Sequence, residues 1–102
     1  MELKLLERFA LTQLLPEKGT MTEQLTAKDI RAKILVTKLD LEAVEFVEEG
    51  GFQKWNAEKD TPKEIEFSDA EKRLLKAAVK KLDDDKAITP QILEICVKIE
   101  GL

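Results

Sequence analysis

The stretch 63–82, KEIEFSDAEKRLLKAAVKKL, decides how the rest of the chain is read. Lys63, Glu64, Ile65, Glu66 and Phe67 alternate polar and apolar residues, the two-residue period of a strand with one buried face. Ile65 and Phe67 are expected to point inward, Glu64 and Glu66 outward. Ser68 then stands where a helix should begin. Its hydroxyl can accept from the backbone N–H of Glu71, and Glu71 can reach back to the N–H of Ser68. This S-x-x-E pattern is a capping box, and a serine cap contributes about 1 kcal/mol over alanine. Asp69 adds negative charge to the first turn, where the helix dipole favours it. Leu74, Leu75, Ala78, Val79 and Leu82 then recur at the spacing of a helical stripe, with Lys72, Arg73, Lys76 and Lys80 on the opposite side. Asp83, Asp84 and Asp85 are poor helix formers at the negative end of the dipole. A strand over 63–67 and a helix over 69–83 are therefore predicted.

Toward the N-terminus, Leu3, Leu6, Ala10 and Leu14 form one helical row that Leu5, Phe9 and Leu11 widen. So broad a stripe predicts a helix over 2–15 buried on more than one side. Pro16 ends it, because proline disfavours helical geometry at Leu15 and has no N–H to continue the ladder. Thr22 and Thr26 are candidate caps of the next helix. A start near Thr26 and a span of 26–38 are predicted, with Ala27, Ile30, Ile34 and Leu35 as the buried stripe. A helical turn over 40–45 and a hairpin with strands at 46–48 and 52–55 follow. Gly50 and Gly51 supply the positive φ that its turn needs. The helices are expected to cover the apolar face of this sheet, to which 63–67 adds a third strand, since two or three short strands are marginal alone. Near the C-terminus Thr89 is an expected cap and Pro90 the first helical residue. Ile88 and Leu93 sit at the positions of a hydrophobic staple, and Ile92, Ile95, Cys96 and Ile99 form the stripe of a helix over 90–99. The predicted fold class is α+β: a helix-rich single domain, 1–102, of about four helices with a small two- or three-stranded antiparallel sheet.

The 102 residues are 43% apolar and 37% charged, with a formal net charge of −4. That length suits one domain with a modest core. The negative balance gives no general attraction to nucleic acid or anionic membranes, and no apolar run approaches the length needed to span a bilayer. The opening MELKLLERFA alternates charged and apolar residues too tightly for a signal peptide, so the cytoplasm is the expected location. Histidine is absent, which removes the commonest general base and the commonest neutral metal ligand together. Cys96 stands alone and is expected to act as a small buried hydrophobe.

Between Leu39 and Ala70 ten acids face three lysines, a balance of −7 that includes Glu48 and Glu49. This stretch reads as a docking surface for a basic partner or as a solvated sheet edge. Lys72, Arg73, Lys76, Lys80 and Lys81 make a basic helix face, but no aromatic residues interleave with it and no glycine-rich phosphate loop precedes it. Phe52 and Trp55 border the glycine turn, where a tryptophan is either an interface anchor or core. The three consecutive aspartates lack the alternating ligands, the glycine and the distal glutamate of a calcium loop. Glu64 and Glu66 would make a carboxylate pair only on an outward strand face without a pocket. No catalytic, cofactor-binding or metal-binding residue is assigned. The candidate interaction residues are Phe52, Trp55, Glu48, Glu49, Lys72, Arg73, Lys76 and Lys80.

Leu5-Leu6-Glu7-Arg8-Phe9-Ala10-Leu11 closed by Leu14-Leu15-Pro16 and Gly19, Trp55-Asn56 followed by an acidic linker, and Lys80-Lys81-Leu82 occur in that order. Together they resemble a group of small bacteriophage and prophage proteins. The resemblance implies a phage or prophage setting and the host cytoplasm at some stage; it implies no activity and no functional residues. The expected function is a non-enzymatic protein–protein interaction module, acting through a protein partner or self-association, in an accessory or assembly role. The alternative is a winged-helix-like nucleic-acid-binding regulator, because helix, helix, short helix and hairpin occur in that order. Asp40, Glu42 and Glu45 would repel phosphate and weigh against that alternative. No cofactor, membrane or small-molecule substrate is expected.

Overall fold

Four long helices, one short helix and two small antiparallel ladders form an α+β fold, described over residues 1–102 by a computed structural model. The order is β1 (Glu2–Leu3), α1 (Leu5–Leu14), α2 (Met21–Ile34), α3 (Lys38–Ala43), β2 (Val47–Glu49), β3 (Phe52–Lys54), a 3-10 turn (Ala57–Lys59), β4 (Lys63–Glu64), α4 (Asp69–Asp84) and α5 (Pro90–Glu100). α1, α2, α4 and α5 pack as a ring in the order α1–α2–α4–α5, with a further contact across it between α1 and α4. Leu11, Ile30, Ile34, Leu75, Ile95 and Ile99 meet at its centre without solvent contact. Each such side chain contributes about 1.5–3 kcal/mol of burial.

The capping box of α4 is formed as its sequence predicts. The Glu71 N–H donates to Ser68 Oγ at 3.2 Å, and the Ser68 N–H donates to Glu71 Oε1 at 2.7 Å. The far end of α4 closes by a hydrogen-bonded reversal rather than by charge alone. The Lys86 N–H returns to the Asp83 carbonyl and the Ala87 N–H to the Leu82 carbonyl, with Lys86 at φ 55°. This is the Schellman arrangement, in which glycine is the favoured left-handed residue. A lysine there costs about 1 kcal/mol of backbone strain. Lys86→Gly is expected to stabilise the fold by about 0.5–1 kcal/mol, read as a higher denaturation midpoint. A lower midpoint would show that the Lys86 side chain contributes more than its strained backbone loses.

Four departures from the sequence-based expectation exceed two residues or change a pairing. The first helix starts at Leu5, not at residue 2, because Glu2, Leu3, Lys4 and Leu5 alternate exposed and buried. Glu2 and Leu3 pair with Glu64 and Lys63 as β1–β4, and the α1 N-terminus is closed by Asp60, whose carboxylate accepts from the Leu5 N–H at 3.1 Å. The second helix starts at Met21, not near Thr26. Thr20 and Glu23 make a reciprocal capping box at 3.0 and 3.1 Å, while the Thr26 hydroxyl donates to the Thr22 carbonyl inside the helix. That helix ends at Ile34, and Thr37 caps the separate α3 through Asp40.

The fourth difference concerns the sheet. The expected third strand, 63–67, pairs with the N-terminus over Lys63–Glu64 and not with the hairpin. Ile65 and Phe67 still face the core, as their alternation predicts. The hairpin forms its own ladder, in register Val47–Lys54, Glu48–Gln53 and Glu49–Phe52. Gly50 and Gly51 turn it at φ 56° and 82°, the double positive φ of a type I′ turn. No helix covers it: every residue of β2 and β3 is exposed. The radius of gyration, 14.3 Å, exceeds the roughly 13 Å expected of a chain this long, as a projecting arm requires.

Candidate functional site

Two surfaces combine exposed apolar side chains with charged ones. The first is the β2–β3 arm. Directly opposed residues share a face of a sheet, so the register places Val47, Glu49, Phe52 and Lys54 together, and Glu48 and Gln53 on the other side. Phe52 is 73% exposed and Val47 51%. At the root of the arm Phe46 and Trp55 stack with ring centroids 6.2 Å apart. The Asn56 N–H donates to the Val44 carbonyl at 2.7 Å, and Lys59 pairs with Glu45. Trp55 also lines a cleft with Lys4, Leu6, Glu94 and Lys98. Trp55 is thus half-buried at the root of the arm, while Phe52 is the aromatic left free.

The second surface is a groove of about 550 Å³ between α4 and α5. Val79, Ile88, Leu93, Cys96 and Val97 form its apolar lining; Lys76 and Lys80 stand along α4, with Asp83 and Glu100 also at its margin. Leu93 and Val97 lie outside the α5 core stripe and are 52% and 63% exposed. The Lys76 ammonium donates to the Leu102 carbonyl at 2.5 Å. Lys80 pairs with Asp84 at 3.2 Å. Burial and the nearby Glu100 charge push the Cys96 thiol pKa up, so Cys96 is a protonated, apolar part of the groove wall.

The basic face predicted for α4 is divided by the fold. Lys76 and Lys80 reach the groove, Lys72 lines a separate shallow cavity with Ile65 and Phe67, and Arg73 points to solvent. Phe52, Trp55, Glu48 and Glu49 belong to the arm and its root, on different elements from these bases. The groove lining contributed by α5 was not assigned from sequence, although a signal exists. Leu93 and Val97, added to Ile92, Ile95, Cys96 and Ile99, give α5 more apolar residues than one buried stripe needs.

Two buried polar groups also escape a reading by pattern. Arg8 is only 4% exposed. Its Nε donates to the Ile34 carbonyl at 3.1 Å, and its Nη2 donates to the Leu35 carbonyl and to Asp40 Oδ2, the latter at 3.1 Å. Glu71 is 3% exposed and accepts from Lys33 Nζ at 2.5 Å. Lys33 also donates to the Glu66 carbonyl at 3.0 Å and lies 5.8 Å from the centre of the Phe67 ring.

The displaced carboxyls are all displaced downward. Burial raises Glu71, but donation by Lys33 and Ser68 outweighs it. Burial likewise raises Glu7, against a stronger combined pull from Lys98 and Lys4. The Thr37 N–H, ahead of Arg8, lowers Asp40, and the Thr20 N–H lowers Glu23. These are helix caps and ion pairs, and the direction is opposite to that of a general acid held ready at neutral pH. No group of three or more His, Cys, Asp or Glu side chains converges as a metal site, and no helix is long and apolar enough to cross a membrane. The winged-helix order is present as α1, α2, α3 and β2–β3, but α3 is six residues long and ties Asp40 to Arg8. Comparison with protein-family models, curated proteins and solved structures finds no match.

Proposed function

We propose that the chain is a non-enzymatic protein–protein interaction module whose contact element is the β2–β3 arm. The observation that carries this reading is the exposure of Phe52 and Val47 on one face of a hairpin whose every strand residue is exposed. An aromatic and an aliphatic side chain placed together in water mark a contact surface. The outer edges of a two-stranded ladder also keep free backbone donors and acceptors for an added strand. The resemblance to phage and prophage proteins supports an accessory or assembly role in a host cytoplasm.

The test combines solution mass at several concentrations with capture from a bacterial lysate, using the wild type and Phe52→Asp. Association that the substitution abolishes is the expected result. A wild type that stays monomeric and captures nothing beyond the Phe52→Asp control overturns the reading. Gel retardation at low salt, where phosphate contacts are strongest, separates it from the nucleic-acid alternative; no shift is expected, because Glu42 is exposed on α3 and Glu48 and Glu49 on the arm.

A further inference from the structure

We infer that the α4–α5 groove of one copy receives the β2–β3 arm of a second copy, and that the pair closes by the reciprocal contact. The inference rests on the interaction-module reading and names its partner.

The two surfaces are complementary in chemistry. The arm face offers an apolar pair, Val47 and Phe52, beside one acid, Glu49, and one base, Lys54. The groove offers an apolar lining with Lys76 and Lys80 for the acid, and Asp83 and Glu100 for the base. The Lys80–Asp84 pair is solvent-exposed, so it is weak and easily exchanged. Both surfaces exist on every chain, so two copies satisfy each other twice around a two-fold axis and no free arm or groove remains.

Charge favours the same partner. Residues 39–70 carry −7 and the whole chain −4, which leaves +3 on the remainder. The arm contributes −1 of that balance, Glu48 and Glu49 against Lys54, and Glu49 is the acid that meets Lys76 or Lys80 of the other copy.

Surface area agrees. The chain exposes 7290 Å². A folded monomer of 11.6 kDa is expected to expose roughly 5,800 Å². The excess, about 1,500 Å², is larger than the roughly 800 Å² that each partner buries in an interface of standard size. The groove's lining is formed mainly by Val79, Ile88, Leu93, Cys96 and Val97, whereas a small-molecule pocket needs several polar groups placed to fix the orientation of its ligand. A broad apolar trough with a charged margin suits a peptide element better.

Sedimentation and light scattering of the wild type over a concentration series should show a monomer–dimer equilibrium that stops at the dimer. Phe52→Asp, in the arm, and Val97→Asp, in the groove, should each weaken dimerisation at least about a hundredfold. Both positions are exposed, and unchanged circular dichroism confirms that the variants fold. Glu49→Lys or Lys80→Glu alone should weaken it roughly tenfold, because each reversal acts at both symmetry-related contacts. An equimolar mixture of these two variants should recover most of the lost affinity, since each then meets its opposite charge. A wild type that remains monomeric overturns the inference, as does a mixture no stronger than its components. If the wild type is monomeric while Phe52→Asp abolishes capture of a different protein, self-pairing fails and the interaction-module reading stands.

Discussion

Replacing Arg8 by alanine is expected to remove about 3 kcal/mol of folding stability, a large part of the 5–15 kcal/mol that holds a small domain together. The guanidinium is buried under α1 and donates to two carbonyls at the end of α2 and to the carboxylate of Asp40. The last carbonyls of a helix have no partner within it. α2 stops at Ile34 with neither glycine nor a left-handed residue beyond it, and Leu35 is extended. Arg8 supplies donors that the chain does not provide locally. Asp40 in turn accepts from the Thr37 N–H at 2.9 Å and so caps α3. One side chain therefore joins α1, the end of α2 and the start of α3. Charge-assisted hydrogen bonds contribute about 1.5–3 kcal/mol each, and truncation leaves buried acceptors without donors. The melting temperature should fall by roughly 10–20 °C. Arg8→Lys keeps the charge but not the planar fork that spans several acceptors, and should lose about half as much. A loss within the roughly 0.5 kcal/mol of an ordinary surface substitution would show that water replaces these bonds at no cost.

The Glu71–Lys33 pair makes the fold acid-labile. Burial alone would raise the Glu71 pKa, yet donation from Lys33 and from the Ser68 N–H brings it below its ordinary value of 4.5. A carboxyl that titrates lower when folded stabilises the fold fully above its unfolded pKa. That contribution is lost as pH falls from about 4.5 through the lower folded value. Asp40 and Glu7 are displaced in the same direction and add to the slope. Glu71→Gln should cost about 2 kcal/mol at neutral pH, a figure that allows for the partial exposure of Lys33. Part of the loss is geometric: Glu71 Oε2 is buried with no partner, so an amide N–H₂ in its place would lack acceptors. The decisive measurement is urea denaturation of both proteins across pH. Their stabilities should draw together as pH falls through the lowered folded value, where the wild-type carboxyl becomes protonated as well. A constant difference at all pH values would mean that Glu71 acts by packing and not by charge.

How much of this was legible beforehand depended on the reach of each interaction. Ser68 and Glu71 are three residues apart, Pro90 acts on its own turn, and the glycine pair sets its own φ. Such features read correctly because the partner lies in the same window. Thr20–Glu23 and Thr37–Asp40 carry the same signal as Ser68–Glu71. Thr26, the expected cap of the second helix, lies inside the periodic stretch and instead bonds back within the helix. Phe52, Glu48 and Glu49 lie on the exposed hairpin, a position legible from the glycine turn. Trp55 was placed correctly in the chain, but its stacking on Phe46 makes it a root and not a tip. The α5 side of the groove was hidden because Leu93 and Val97 look like further core on a helix of unknown neighbours.

The sequence by itself determined the four long helices, the cap of α4, the hairpin and its turn, and most of the inward residues, since these follow from side-chain period and from hydrogen bonds spanning a few residues; Leu6 and Leu35, expected inward, are exposed. Only the tertiary structure decided that Glu2–Leu3 would pair with Lys63–Glu64, that Arg8 would close α2, that Lys33 would meet Glu71, and that the hairpin would stand clear of the helices. Two-residue strands have no measurable period, and a buried ion pair between distant segments leaves no mark on either one alone. Such contacts form only where packing of the four long helices has already brought the segments together.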